Sequence, residues 1–157
     1  MSTNPAKVAV RDARPGDCPA IAGLMHELLG HAPQAGTVRR RLARLPRTDT
    51  SRVLVAVVDG QVVGVVGLHV IPPLHRGRRL CRVRGLCVNA AYTRQGIGRQ
   101  LVNAAEAFAR RAGCHSIELV TAAGRTGAHA FYRRLGFTEA AKRFAKPVEL
   151  LRRGRTR

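Results

Sequence analysis

The chain has 157 residues, 45% of them hydrophobic, and its 28 Lys and Arg residues against 9 Asp and Glu residues give a formal net charge of +19. This size and apolar content fit a single domain with its own core. No run approaches the eighteen apolar residues of a membrane span, and residues 1–10 contain no apolar targeting core. We therefore expect a cytoplasmic protein with no membrane partner.

The first third of the chain is predicted to form a strand and two helices. Residues 7–13 alternate as a short strand, and Asp17 is predicted to cap the helix that follows it. Apolar residues then recur at helical spacing, which indicates one helix with a buried face and a second, shorter helix. These positions are Ile21, Leu24, Met25, Leu28 and Leu29 in the first helix and Val38, Leu42 and Leu45 in the second.

The rest of the chain alternates between predicted strands and helices. Strands at 52–58 and 62–71 are joined by Asp59-Gly60, the strongest hairpin signal in the chain. The predicted order over the whole chain is β-α-α-β-β-β-α-β-α-β. Its later elements are a strand at 80–88, a helix bearing Leu101, Ala105, Phe108 and Ala112 and closed by Gly113, a strand at 115–121, a helix around Tyr132 and a final strand at 137–144.

The cysteines show no C-x-x-C spacing, and their neighbours are mostly apolar. Buried free thiols are therefore expected instead of disulfides or zinc ligands, and no metal site is predicted. The four residues are Cys18, Cys81, Cys87 and Cys114.

A glycine pair, Gly96 and Gly98, lies between a predicted strand and a predicted helix. Such a junction lets the backbone approach a ligand closely and adds the positive end of the helix dipole, so it predicts a pyrophosphate site. The dinucleotide fingerprint needs a third glycine where Leu101 stands, and a Walker loop needs a Gly-Lys pair that the chain lacks. Both of those nucleotide sites are excluded.

The junction resembles the acyl-CoA-binding loop of the GNAT superfamily of N-acetyltransferases, Arg/Gln-x-x-Gly-x-Gly/Ala. Gly96 and Gly98 match it, and Thr93 stands where the family usually has Arg or Gln. About thirty residues later, residues 128–137 resemble the family's Ala-x-x-Phe-Tyr-x-x-x-Gly-Phe element. The resemblance covers about residues 7–150.

The resemblance implies an α/β fold with a mixed sheet, the GNAT-like acyl-CoA N-acyltransferase fold, in one domain at residues 1–150 with a basic C-terminal tail at 151–157. It also implies an enzyme that uses acetyl-CoA to acetylate a primary amine by direct attack in a ternary complex. In the family, pantetheine lies between two splayed strands and the phosphates lie on the glycine loop. The matching residues are Leu86, Cys87 and Val88 on the strand, Arg94, Gln95, Gly96, Ile97, Gly98 and Arg99 at the loop, and His129 and Tyr132 on the later helix.

Tyr132 is the predicted general acid. The leaving CoA thiolate needs a proton or stabilisation, and a phenol near the sulfur supplies it. The family places a tyrosine there. The structural alternative is that the ring packs in the core beside Phe131 and Leu135.

The general base is open at this stage. Many relatives carry Glu on the strand before the loop, and Arg84 stands at that position here. The candidates are His69, His75 and Glu118. Each has a structural alternative, as a satisfied strand histidine, a solvated loop residue and a strand-surface charge respectively.

The basic field favours an acidic or neutral small-molecule amine as the acceptor, because it attracts anions and repels cations. Deprotonating a lysine-like amine at pH 7 costs about 4–5 kcal/mol, whereas an α-amine costs only about 1–1.4 kcal/mol. The charge is also explained by a GC-rich coding composition, since 25 of the 28 basic residues are arginine.

Two other functions stay open from the sequence. The first is a protein N-acetyltransferase acting on a chain terminus or a ribosomal protein. The second is a non-catalytic module that contacts nucleic acid nonspecifically through its basic surface and the tail at 151–157, although six aromatic residues form no stacking platform. Small relatives often pair, so a homodimer is also considered.

Overall fold

Five strands and four α-helices make up the described parts of the chain, which are residues 7–31, 33–45, 50–74 and 77–148 of a computed structural model. The chain divides into two units, Met1–Ala122 and Ala123–Arg157. The first unit contains β1 Ala9–Asp12, α1 Cys18–Leu29, α2 Ala35–Arg44, β2 Ser51–Val58, β3 Gln61–Ile71, β4 Arg79–Val88, α3 Ile97–Arg111 and β5 Cys114–Leu119, and the second contains α4 Thr126–Arg134.

The strands of the first unit form one mixed sheet in the order β1-β2-β3-β4-β5. The first four strands pair antiparallel, and β5 pairs parallel to β4 after the crossover through α3. The turn between β2 and β3 has positive φ angles at both Asp59 (47°) and Gly60 (79°). Two positive φ angles are what a two-residue type I′ hairpin requires, so the predicted hairpin is confirmed.

Each face of the sheet packs against helices. On one face, Leu101, Ala105 and Phe108 of α3 are buried in the larger core cluster. On the other face, Ile21 and Leu24 of α1 pack in a second cluster. Their partners from the sheet are Val55, Val65 and Cys87. The face covered by α1 also carries the polar groups of the candidate site.

The predicted final strand at 137–144 is wrong for this structure. Residues 138–148 form neither helix nor strand, and Phe144 is 92% exposed. The segment contains four charged residues, Pro147 and few β-branched residues, a composition that disfavours a strand. The other predicted strands are present, with each end within two residues of the prediction.

Asp17 occupies the N-cap position of α1, as predicted, but its carboxylate makes no cap hydrogen bond to that helix. It accepts 2.7 and 3.0 Å hydrogen bonds from the Arg11 guanidinium and a 2.7 Å hydrogen bond from the Arg14 backbone N–H. These bonds hold the pKa of Asp17 below its ordinary value, in spite of its burial. Leu29, predicted on the buried face, is 54% exposed at the last residue of α1.

Cys18, Cys81 and Cys87 are buried and Cys114 is half-buried, and none of the four forms a disulfide. Burial raises the pKa of Cys81 to about 11, so its thiol stays protonated at neutral pH. Among the helices in the described residues, none is long and apolar enough to cross a bilayer.

Candidate acetyl-transfer site

Strand β4 runs past the end of its pairing with β5. The ladder between them ends at Val83 opposite Leu119, whereas β4 continues to Val88. The Asn89 N–H donates to Val63 on β3, and the Cys87 carbonyl lies beside Gly64 on β3. Because main-chain groups alternate along a strand, Leu86 and Val88 direct theirs to the opposite edge. The end of β4 therefore carries main-chain groups directed toward an open edge.

A β-bulge in β4 marks the start of this open edge. Val65 pairs with Cys87 and Gly67 pairs with Arg84, so two steps on β3 correspond to three on β4. Gly85 within the bulge has a φ of 65°, a conformation that favours glycine. A Cβ placed on Gly67 would come within 3.0 Å of the Arg84 carbonyl oxygen. The close approach of the two strands fixes the backbone of Arg84.

The loop between β4 and α3 presents an uncapped helix N-terminus. Gly96 is the N-cap of α3 with a φ of 78°, it has no side chain to cap the helix, and no acidic residue lies in the first turn. Ile97 is 1% exposed and anchors that turn in the core, so it offers only its main chain to a ligand. Arg94 has a φ of 62°, which is uncommon for a residue with a side chain. Free N–H groups, the helix dipole and a nearby arginine suit a phosphate group.

Side-chain hydrogen bonds hold the turn that leads into this loop. Asn89 Oδ1 accepts a 2.9 Å hydrogen bond from the Ala91 N–H, and Thr93 Oγ1 donates a 3.0 Å hydrogen bond to the Ala90 carbonyl. Thr93, the departure from the family pattern, thus stabilises the loop. Gln95, Gly98 and Arg99 lie on the same loop and first helical turn.

A row of polar side chains crosses the sheet on the face that α1 covers. Ser51 of β2 pairs with His69 of β3, His69 pairs with Arg82 of β4, and Arg82 pairs with Glu118 of β5. Ser51 Oγ lies 3.2 Å from His69 Nδ1. Arg82 and Glu118 form an ion pair with a 2.7 Å bond from Nε to Oε1. Two of the predicted base candidates, His69 and Glu118, therefore lie in one row.

His69 is poised to stay neutral. It is half-buried, and burial together with the charge of Arg84 lowers its pKa below the ordinary value of 6.5. Arg84 is exposed, and no ion-pair partner for it is recorded in the described ranges. An uncharged imidazole at neutral pH has a lone pair that accepts a proton. Glu118, by contrast, is already bonded to Arg82.

Next to this row lies an apolar pocket of about 170 Å³. It lies between α1, α2 and the central strands, and among the described residues that line it only Arg41 and Arg84 are charged. Both arginines are exposed. The apolar lining includes Ile21, Met25, Val38, Leu42, Val53 and Val65.

Tyr132 lies in the second unit, at the end of α4. Its ring makes edge contacts with Phe131 at 5.1 Å and with Phe137 at 5.6 Å between centroids. The Phe137 N–H donates to the Tyr132 carbonyl, the Gly136 N–H donates to the Arg133 carbonyl, and Gly136 has a φ of 88°. This is a Schellman motif with its hydrophobic contact. His129 precedes Tyr132 by three residues on the same helix and is half-buried.

Sequence reasoning missed Ser51 and the place of Arg41 at the pocket. Ser51 had no local signal, because extending the Asp59-Gly60 hairpin in register would pair it with Leu68, and only the bulge at Ala56 and Val57 brings it opposite His69. The place of Arg41 had none either, since it depends on how α2 packs on the sheet. His75 and the tail at 151–157 lie outside the described residues. No group of three His, Cys, Asp or Glu side chains that could hold a metal occurs in the ranges that the structure describes.

Comparison with known proteins gives the same assignment. The model of the acetyltransferase (GNAT) family matches residues 22–137, which is more than half of the chain. The chain belongs to the GNAT acetyltransferase family. GNAT acetyltransferases use acetyl-CoA, and this chain is an acetyl-transferring enzyme.

Individual relatives can be aligned with nearly the whole of this GNAT family member. An aminoalkylphosphonate N-acetyltransferase of Salmonella typhimurium is 32% identical over 88% of this chain and 90% of its own length. An aminoglycoside N(6')-acetyltransferase type 1 of Stenotrophomonas maltophilia is 30% identical over 89% of this chain and 94% of its own. A solved structure described as a transcriptional regulator from Bacillus halodurans C-125 superposes with a TM-score of 0.82 at 26% identity, covering 90% of this chain and 100% of its own. The similarity confirms the predicted fold class.

Proposed function

We propose that the protein transfers the acetyl group of acetyl-CoA to a primary amine of a small molecule, by direct attack within a ternary complex. The observation that carries the proposal is the open edge of β4, which runs directly into the uncapped N-terminus of α3. An extended pantetheine would pair with the main chain of Leu86 and Val88. Its pyrophosphate would lie on the N–H groups from Gly96 to Arg99, with Arg94 supplying positive charge.

His69 is the base in this proposal. The amine nitrogen attacks the acetyl carbonyl carbon, so that an N–C bond forms and the C–S bond breaks. The attacking nitrogen loses one proton, which passes to His69 Nε2 directly or through a water molecule. Ser51 positions the ring, because a hydrogen bond from Nδ1–H to Ser51 Oγ leaves the lone pair on Nε2.

Tyr132 is the proposed general acid for the leaving CoA thiolate, as the family resemblance implies. Its carbonyl and ring are both held by the Schellman motif at the end of α4. A fixed phenol suits proton donation to a sulfur that develops negative charge. His129, on the same helix, is proposed to lie near the cofactor.

A small acceptor is favoured over a protein chain by two observations. The apolar pocket at Gly67, two residues along β3 from His69, has a volume of about 170 Å³ and suits a compact substrate. Two relatives that match 88% and 89% of this chain carry the names of small-molecule acetyltransferases. A protein acceptor is the alternative that the experiment must exclude.

The test is a screen of small amines and of a peptide with a free α-amine, measuring free CoA thiol and identifying the acetylated product by mass spectrometry. We expect acetylated small amine and no acetylated peptide above background. Tyr132→Phe should lower kcat with the best acceptor by about 10²-fold or more. Release of CoA at the wild-type rate by Tyr132→Phe would remove Tyr132 from the mechanism. Acetylation of the peptide alone would support the protein acceptor.

A further inference from the structure

The two arginines at the apolar pocket differ from the three arginines that ion pairs hold on the sheet. Arg11 bonds Asp17, Arg52 bonds Asp12 and Arg82 bonds Glu118. For Arg41 and Arg84, no ion pair is recorded among the residues that the structure describes. A guanidinium without a carboxylate partner keeps its donors for a ligand.

We propose that the amine acceptor carries an anionic group, a phosphonate, phosphate or carboxylate, and that Arg84 and Arg41 bind this group at the apolar pocket. The inference rests on the proposed function, because it assigns the substrate class of that same site. No acidic side chain is among the described residues that line the pocket. A cationic acceptor would therefore meet two positive charges and no compensating one.

The position of Arg84 beside the base sets the size of the acceptor. Arg84 pairs with Gly67, and His69 lies two residues further along β3, so the two residues are diagonal neighbours. Diagonal neighbours on one face of a sheet are about 7–8 Å apart or less. A substrate bound by Arg84 would thus have its amine close to His69. The spacing favours compact acceptors in which about two or three carbon atoms separate the amine from the anion.

The same arginine explains why a carboxylate base is absent from β4. An arginine at this position cannot accept a proton, but its charge adds to burial in lowering the pKa of His69, and it binds the substrate anion. Charged groups near His69 on the other strands are Arg82 and Glu118, which neutralise each other. The binding role and the base role therefore reside on separate residues, Arg84 and His69.

The experiment compares four amines with the same two-carbon linker, namely 2-aminoethylphosphonate, β-alanine, ethanolamine and ethylenediamine. Product formation is measured for wild type, Arg84→Gln, Arg84→Lys and the control Arg44→Gln. Arg44 is exposed on α2 and is not among the pocket residues. We expect wild type to favour the two anionic amines over ethanolamine by about tenfold or more in kcat/KM, with ethylenediamine the poorest. A preference for the phosphonate over β-alanine would identify the phosphonate or phosphate class.

Arg84→Gln should remove this preference mainly through a higher KM for the anionic amines, Arg84→Lys should restore part of it, and Arg44→Gln should leave it unchanged. An equal or greater kcat/KM for ethanolamine or ethylenediamine in wild type would overturn the inference, as would an unchanged preference in Arg84→Gln. If none of the four amines is acetylated, the proposed function fails for this class. Calorimetric titration of 2-aminoethylphosphonate into the CoA-saturated protein then decides the binding claim, which requires heat in wild type and none in Arg84→Gln.

Discussion

Ser51 Oγ lies 3.2 Å from His69 Nδ1, and the two residues pair directly across strands β2 and β3. This bond fixes one nitrogen of the imidazole and leaves the other for the chemistry. Because burial and Arg84 both lower the pKa of His69, the ring is neutral, as a general base must be. The pairing of β2 with β3 thus holds the imidazole in the orientation that the proposed proton transfer needs.

Replacing His69 tests whether this residue acts as the base or has only a structural role. We expect His69→Gln to lower kcat/KM by about 10²–10³-fold with an acceptor of high pKa, because the base is lost. Ser51→Ala removes only the hydrogen bond that positions the ring, so it should lower kcat/KM by up to about tenfold. Steady-state rates with the best acceptor measure both. Equal losses in the two variants, or a loss below threefold in His69→Gln, would argue for a merely structural histidine.

A glycine substitution on β3, with a control substitution on α1, tests the close approach of the strands at the bulge. Gly67→Ala should destabilise the protein by about 1–3 kcal/mol, because the new Cβ would lie 3.0 Å from the Arg84 carbonyl oxygen. Gly23→Ala, on the exposed side of α1 with no atom within 4 Å of the new Cβ, should stabilise by about 0.5–1 kcal/mol. Urea denaturation of both variants measures the free energies of unfolding. A neutral Gly67→Ala would mean that β3 and β4 can move apart at the bulge without cost.

The bonds of Asp17 predict a specific acid sensitivity. Its folded-state pKa lies below the unfolded value, so the stability it contributes is present above the ordinary pKa of 3.8 and is lost as the pH falls through the folded value. Asp17→Asn should lower the free energy of unfolding by about 2 kcal/mol at pH 7. It should also flatten the dependence of that free energy on pH in the acid range. The control is Asp12→Asn, whose pair with Arg52 is exposed and should contribute about 0–1 kcal/mol. Equal costs at the two positions would contradict this difference in burial.

The sequence predicted the hairpin and the glycine loop because their signals are local. Asp59-Gly60 adopts two positive φ angles, and Gly96 supplies the positive φ at the start of α3. The final strand at 137–144 could not be judged locally, since a strand forms only where a neighbour accepts its hydrogen bonds. Asp17 stands at the predicted N-cap position, but its side chain does not bond the helix, because Arg11 offers the carboxylate a stronger partner.

In the candidate site, too, some residues could be predicted from local sequence and others could not. The residues at the loop are contiguous in sequence and could be named from a motif. The relation of Ser51, His69 and Arg84 depends on strand register and on two bulges, one between β2 and β3 and one between β3 and β4. Hydrophobic periodicity does not encode a bulge, so the placement of the arginine near the histidine needed the structure.

The most direct test of the proposed mechanism is the pH dependence of kcat/KM for wild type and His69→Gln, measured by CoA release with one acceptor. Wild type should show an additional acid limb with a pKa below 6.5, because protonation of His69 removes the base. The variant should lack that limb while keeping any dependence due to ionisation of the acceptor amine. An identical acid limb in both proteins would contradict the assignment of His69 as the base.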